Sequence, residues 1–238
     1  MTSARVFALL LVLLFASHLQ TACGGDAPAA AATPPPAAAN QPASNTPPAA
    51  ANALPGDPKA AILQALRAQL TAGPYRSTTT ITMEDGAQTM VGEVAPPDRM
   101  HVEMDLGGIK TEMIYIGDKV WSKQGDDAWT ESDRMGGLGG ALLDESMIAD
   151  TERTIIEAAL VGPEQVGGVD AVAYTFTTDM SKSEVMPIES IVQTKVWIDP
   201  TTGLIVRQEV TDSLSDTPST TVQEIEYDSS ITIEPPVQ

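Results

Sequence analysis

Hydrophobic and polar positions alternate along much of the chain, most clearly between residues 192 and 210. One face of a strand is formed by Val192, Thr194, Val196 and Ile198, and the other by Gln193, Lys195, Trp197 and Asp199. Residues 199–203 then provide a turn, because Pro200 presets its backbone angle and Gly203 tolerates a positive φ. The return strand continues the apolar face with Leu204, Val206 and Val210. The pattern predicts an antiparallel hairpin with one apolar and one solvated face.

The same alternation predicts further strands on both sides of a helical interruption. They lie at 75–84, 88–94, 99–106, 110–116 and 119–123 before it, and at 169–178, 221–227 and 231–233 after it. Asp85-Gly86 and Gly117-Asp118 mark tight turns between them. Strands at such short intervals predict one large, strongly curved antiparallel sheet.

Two segments have helical spacing. In the first, Asp57 is a suitable N-cap, Pro58 fits the first helical position, and Gly73-Pro74 ends the helix. Its apolar stripe consists of Ile62, Leu63, Leu66 and Leu70. The second segment, 134–162, predicts one or two short helices from the spacing of Ile155, Ile156, Ala159 and Leu160. The glycines at 136–140 in front of it predict a flexible hinge or lid.

Residues 1–22 predict a signal peptide for export. Arg5 gives a charged start, and residues 6–16 form an apolar run too short to span a bilayer comfortably. Residues 19–25 resemble the lipobox of bacterial lipoproteins, in which the signal is cut before an acylated cysteine, here Cys23. The alternatives are an uncleaved anchor helix and an incidental thiol. Acylation would explain why an exported chain has a single cysteine, and its acyl chains would hold the protein at a membrane.

Residues 23–56 are predicted to be the lipidated cysteine and a disordered spacer. The segment is almost entirely Ala, Pro, Asn, Thr and Ser, and Leu54 is its largest apolar residue, so it cannot bury a core. A proline-rich chain extends by about 3.1 Å per residue, so the spacer would reach roughly 100 Å from the membrane. Residues 57–238 are then one domain, long enough for a sizeable core.

Charge excludes one class of partner. The chain has 13 basic and 32 acidic residues, and all but Arg5 and Asp26 lie from Asp57 onward. A surface this acidic repels nucleic acid and anionic headgroups. We therefore expect no nucleic-acid binding.

Residues suited to catalysis are scarce. His101 is the one histidine beyond the predicted signal, and its alternation with charged neighbours favours a solvated side chain over a catalytic base. The acidic pairs, such as Asp126-Asp127 and Asp144-Glu145, do not have the spacing of a calcium loop. The motifs predict no catalytic residue, metal ligand or cofactor, although a hydrolase with two carboxylates distant in sequence stays open.

Methionine is used heavily where aromatic residues would be common. Met100 and Met104 share one face of the third predicted strand with Val102 and Leu106, and the whole chain has ten methionines but three phenylalanines. Methionine fills irregular gaps in cores and recurs on surfaces that accept varied apolar partners. The pattern is typical either of an ordinary core or of a plastic, apolar pocket wall.

The layout as a whole resembles a known family. An acylated cysteine, a spacer, an opening helix, a run of strands, a helical interruption and a closing hairpin are similar to the LolA/LolB-like lipoprotein carriers, and especially to the LppX/LprG-type lipoproteins. The residues that carry this resemblance are 167–174, 196–199, 203–205 and 227–228, within a likeness that spans 57–236.

The resemblance implies an α+β fold, a single curved antiparallel half-barrel sheet wrapped around a few helices. It also implies an apolar cavity that takes acyl chains of lipids or lipoproteins. The predicted anchor at Cys23 places the chain in the cell envelope outside the cytoplasm, and we expect a monomer. Because of the anchor at Cys23, a tethered acceptor or local lipid handler fits better than a shuttle. The face assignments place Met100, Val102, Met104, Tyr174, Phe176, Val196 and Ile198 in the cavity wall, and Leu138, Leu142 and Leu143 on the lid.

A second hypothesis uses the same fold differently. The inside of the half-barrel would be filled by its own side chains and leave no cavity. Its outer face or edge strands would bind an envelope protein, as in a sensor or scaffold lipoprotein. A collapsed core together with an exposed apolar patch would favour it.

Overall fold

The computed structural model describes residues 54–83, 86–133, 143–185, 187–212 and 219–237. The predicted signal peptide, Cys23, nearly all of the spacer, and the predicted lid residues Leu138 and Leu142 lie outside these ranges. Within them, no helix is both long enough and apolar enough to cross a bilayer.

The described residues form one open antiparallel sheet and two α-helices. The strands are β1 (Tyr75–Met83), β2 (Gly86–Ala95), β3 (Arg99–Leu106), β4 (Ile109–Ile116), β5 (Lys119–Gln124), β6 (Thr130–Asp133), β7 (Ile155–Val166), β8 (Val169–Asp179), β9 (Ile191–Ile198), β10 (Ile205–Asp212) and β11 (Ser219–Tyr227). The helices are α1 (Pro58–Leu70) and α2 (Glu145–Thr154), and a short 3₁₀ helix covers Met180–Lys182. Along the sheet the order is β6-β5-β4-β3-β2-β1-β11-β10-β9-β8-β7. The predicted fold class, a single curved antiparallel sheet with a few helices, is confirmed.

Helix α1 begins and ends as its sequence predicts. The Asp57 carboxylate accepts a hydrogen bond of 2.7 Å from the Ala60 amide, and Pro58 occupies the first turn. Ile62 and Leu63 are buried against the sheet. We call the face of the sheet on which α1 packs the inner face.

Helix α2 is attached to α1 and to the segment after β8. Lys59 donates to the carbonyl of Glu152 at 2.6 Å, and Arg67 lies 3.4 Å from the Glu152 carboxylate. The buried Asp150 side chain accepts from the Ser183 hydroxyl at 2.6 Å and from the Glu184 amide at 2.8 Å. These contacts hold α2 against both neighbours.

Asp144 caps α2, and its removal should be measurable. Its carboxylate accepts from the Ser146 hydroxyl and the Met147 amide, and these hydrogen bonds lower the pKa of Asp144 below its usual value of 3.8. We expect Asp144→Ala to cost about 1 kcal/mol and Asp144→Asn much less, because both Asp and Asn are good caps. Urea unfolding at neutral pH would measure both variants. Because the folded pKa is lowered, the part of the contribution that depends on the charge is present above 3.8 and is lost as the pH falls through the lower folded pKa. The difference between wild type and Asp144→Ala should therefore shrink in acid towards that between Asp144→Asn and Asp144→Ala. A constant difference would contradict this.

The β9–β10 hairpin forms as predicted except at one step. The Asp199 carboxylate accepts from the Thr201 amide at 2.8 Å, and Gly203 adopts a φ of 74°. The register shifts between Ile205 and Arg207, so Ile205 rather than Val206 reaches the inner face, where it is 1% exposed. Val206 packs against the outer-face cluster that contains Trp197, which corrects the prediction that Val206 continues the apolar face.

The prediction of helix at residues 155–160 is wrong. This stretch is the start of β7, a 12-residue strand paired with β8. Register shifts occur between Ile155 and Glu157 and again between Leu160 and Gly162. Each irregularity adds a residue on one strand, so Ile155, Ala158 and Leu160 pair with alternate residues of β8 and the two-residue period is broken. In the stripe that suggested a helix, Ile156 and Leu160 are about half exposed.

Two further differences concern short segments. Strand β6 was not predicted, since its four residues are polar and exposed and give no alternation. The predicted strand 231–233 has no strand assignment. Instead, Ile231 and Ile233 pack on Ile114 and Trp121 on the outer face, and Arg99 donates to the Ile233 carbonyl at 2.6 Å.

Candidate functional site

One group of apolar side chains on the inner face comes from β2, β3 and β4. We call Val94, Met100, Val102, Met104 and Tyr115 the methionine cluster, and each member is 8% exposed or less. Their register explains the contact, since Met100 pairs with Val94 on one side and with Tyr115 on the other. Period-two alternation on three adjacent strands therefore produces a continuous apolar surface.

A second group lies beneath the helices. We call it the helix-covered cluster, and its buried members are Ala61, Ile62, Leu63, Ala65, Ile148, Ile155, Tyr174, Phe176, Val196, Ile198, Ile205 and Ile225. Helix α1 contacts β7, β8 and β10, and α2 contacts β7 and β8. Ile62, Ile148 and Ile198 are completely buried, so the helices pack directly on this half of the sheet.

Two tyrosines stand where the two clusters meet. Tyr75 packs against both, and its ring lies 5.7 Å from that of Tyr227. The Tyr227 hydroxyl donates to the Ile205 carbonyl at 3.2 Å. Burial raises the pKa of Tyr75 to about 12 and also raises the pKa of Tyr227. Both side chains are therefore neutral at physiological pH, and the junction carries no charge.

All seven residues predicted as cavity wall face inward and are buried, but they divide between the clusters. Met100, Val102 and Met104 belong to the methionine cluster. The helix-covered cluster contains Tyr174, Phe176, Val196 and Ile198. Leu143 of the predicted lid packs at the edge of the helix-covered cluster. That these residues form the wall of a cavity stays a prediction.

Sequence reasoning missed several members of the clusters. Val94 and Tyr115 belong to the methionine cluster and could have been found by extending the alternation of Met100 and Met104 to the flanking strands. Ile148 could not, because nothing in the sequence shows on which part of the sheet α2 packs.

The outer face carries ion pairs around aromatic side chains. The Glu164 carboxylate accepts from Lys195 at 2.9 Å and from the Trp197 indole at 2.7 Å. These hydrogen bonds, with that from Lys195 the stronger influence, lower the pKa of Glu164. Arg207 stacks 5.2 Å from the same indole. This part of the outer face is held by paired charges.

His101 is not the freely solvated residue that its pattern predicts. Its side chain is 20% exposed and lies among Glu93, Glu103 and Glu112 on the outer face, 3.7 to 3.8 Å from a carboxylate oxygen of each. A depression of about 350 Å³ opens beside it, lined by Arg76, Thr78, Val91, Glu93, His101 and Glu103.

Comparison with protein-family models and with curated protein sequences finds no match. Solved structures do match. The lipoprotein LppX of Mycobacterium tuberculosis is 17% identical with a TM-score of 0.54, over 74% of this chain and 97% of that one. LprF of Mycobacterium bovis is 14% identical with a TM-score of 0.53, over 76% of this chain and 99% of that one. At these identities the likeness establishes the fold alone, and the chain has an LppX/LolA-like fold.

Proposed function

We propose that this chain is an extracytoplasmic lipoprotein, anchored through Cys23, whose domain binds acyl chains of lipids or lipoproteins on the inner face of the sheet. The role is binding, for transport or localisation, rather than catalysis. The signal peptide at 1–22, the spacer up to residue 56 and the binding domain at 57–238 are parts of this proposal.

The methionine cluster is the observation that supports it most. Its five side chains come from β2, β3 and β4, whereas the two described helices pack mainly on β7, β8 and β10. An apolar group on the inner face beside a helix-filled half is the arrangement that the LolA/LppX resemblance implies for a carrier. Methionine side chains adapt to ligands of irregular shape.

Physical chemistry allows such binding without an ionic contact. Transfer of an acyl chain from water to an apolar surface contributes about 0.8 kcal/mol for each methylene group buried. The neutral Tyr75 and Tyr227 at the edge of the surface add no charge to oppose it. The negative net charge of the chain would act on the headgroups of bound lipids, which would lie outside the apolar region, and not on their acyl chains.

The test is mass spectrometry of an organic extract of the full chain, purified in detergent. Extraction removes non-covalent lipid and leaves the chains on Cys23 attached to the protein. We expect stoichiometric lipid in the extract, and its headgroup would identify the ligand class. Val102→Trp, which fills the proposed binding surface, controls for lipid held by the detergent micelle, because such lipid would be extracted from this variant as well. Thr89→Trp, an exposed substitution on the outer face, should retain lipid as the wild type does. A wild-type extract without lipid, also after incubation with membrane vesicles, would overturn the proposal.

One observation favours the alternative of a protein-binding scaffold. Strand β7 is a terminal strand of the sheet, and Ile156, Leu160 and Val161 on it are about half exposed. Terminal strands with exposed apolar residues pair readily with other chains. In this case Leu160→Lys would abolish partner binding and leave lipid content unchanged, whereas the carrier proposal expects no partner to depend on Leu160.

A further inference from the structure

Three potential metal ligands converge on the outer face at β3 and β4. His101 and Glu103 are two residues apart on β3, and Glu103 pairs directly with Glu112 on β4. One donor atom of each residue lies within 4.8 Å of the other two. Nε2 of His101 is 3.7 Å from Oε1 of Glu103 and 3.8 Å from Oε2 of Glu112.

The His101 nitrogen has no hydrogen-bond partner to account for its position. Nε2 is buried and unpaired, and distances of 3.7 and 3.8 Å are too long for a hydrogen bond. A buried nitrogen without a partner is costly. A tetrahedral Zn²⁺ with bonds of 2.0–2.2 Å would hold its ligand atoms about 3.3–3.6 Å apart. The two distances from Nε2 are therefore close to those between ligands of one ion, and one oxygen of each carboxylate lies within 4.8 Å of the other.

Charged partners lie behind two of the ligands. Oε2 of Glu93 is 3.7 Å from Nδ1 of His101, which is beyond hydrogen-bond distance, and Arg76 holds the other oxygen of Glu93 at 2.6 Å. Lys123 binds Oε1 of Glu112 at 2.9 Å, which directs Oε2 towards His101. A second partner for a ligating carboxylate is a support that protein metal sites commonly use, and Glu93 is the carboxylate nearest to the other nitrogen of His101.

Charge and donor type indicate the class of ion. Glu93, Glu103 and Glu112 outnumber the cations Arg76 and Lys123 by one, so a divalent cation meets an excess of negative charge. One imidazole nitrogen and two carboxylate oxygens suit Zn²⁺, whereas Ca²⁺ and Mg²⁺ prefer oxygen ligands alone. His101 and Glu103 also line the outer depression, which leaves space for a water or other small ligand in the fourth position.

We propose that His101, Glu103 and Glu112 form a Zn²⁺ site on the outer face of the sheet, separate from the acyl-chain surface. The site joins β3 to β4 through side chains as well as backbone. No sequence motif predicts it, because its ligands depend on strand register.

Equilibrium dialysis of the full chain against ZnCl₂, after treatment with a chelator, tests the proposal. We expect one ion per chain in the wild type. Loss even of a supporting partner weakens metal sites about 10–100-fold, so His101→Gln and Glu103→Gln should each weaken binding at least about tenfold. Glu157→Gln removes the same charge from an exposed position on β7 and should bind as wild type.

Two further measurements distinguish the loss of a metal ligand from a general effect of the substitution on the fold. Co²⁺ in place of Zn²⁺ should give the visible absorption of a tetrahedral ion in the wild type and lose it in His101→Gln. Circular dichroism checks the fold, and Glu103, whose side chain is 59% exposed, can be replaced with little risk to it. Absence of binding in the wild type, or equal binding in wild type, His101→Gln and Glu103→Gln, would overturn the proposal.

Discussion

Replacing Ile62 by alanine is expected to lower the free energy of unfolding by about 2–5 kcal/mol. Ile62 on α1 is completely buried in the helix-covered cluster, together with Ile148 of α2 and Ile198 of β9. Its truncation removes apolar contacts and leaves a cavity that the packed helices cannot fully close. Because domains are stable by only about 5–15 kcal/mol, this is a large fraction of the total. Urea unfolding followed by far-ultraviolet circular dichroism would measure it.

A matched substitution at an exposed position separates the cost of disrupting the packed core from the cost of removing the same side-chain atoms. Ile109 on β4 is 55% exposed, so Ile109→Ala removes the same atoms from a largely solvated site. We expect it to cost under about 1 kcal/mol, the usual range for surface changes. Similar costs for the two variants would show that α1 does not pack on the sheet as described.

Val102→Trp is expected to abolish retention of non-covalent lipid while the domain stays folded. Val102 is 1% exposed and central in the methionine cluster. If acyl chains lie against this cluster, the indole takes the volume that they need. The measurement is the lipid content of the organic extract, compared with Thr89→Trp on the adjacent strand and opposite face.

The stability of Val102→Trp gives a second criterion. If the methionine cluster is a dry, filled core, the larger side chain overpacks it and costs about 1–3 kcal/mol, and the wild type yields no lipid to lose. Full lipid retention by a folded Val102→Trp would contradict the assignment of this surface. Loss of lipid by both Val102→Trp and Thr89→Trp would show that the substitution acts on the fold in general.

Much of the fold could be predicted because local rules and tertiary packing agree. The cap at Asp57 and the stripe through Ile62 define α1, and alternation with turn glycines defines most strands. At β7 local rules and tertiary packing disagree, because two bulges disturb the two-residue period and the sequence pattern predicts a helix there. A bulge in β10 likewise places Val206 on the outer face. Bulges depend on the partner strand, which a single sequence does not display.

The candidate sites likewise contain some features that the sequence predicts and others that it does not. The inward orientation of Met100, Val102 and Met104 follows from alternation alone, and the structure confirms it. The convergence of His101, Glu103 and Glu112 does not, because it requires that Glu103 lie opposite Glu112 across β3 and β4. Alternation placed His101 on a charged face, but could not show that its Nε2 is buried there.

The pairing of β1 with β11 has a consequence for how the domain assembles. Among the described strands, β1 to β6 are consecutive neighbours, as are β7 to β11, so nearly every pairing joins strands adjacent in sequence. The exception is the seam from Tyr75 opposite Tyr227 to Thr82 opposite Thr220. Closing it requires the longest loop, and long-range pairings of this kind form slowly. Each half of the sheet can therefore assemble from local hairpins, and the seam commits the two halves to a single cooperative unit.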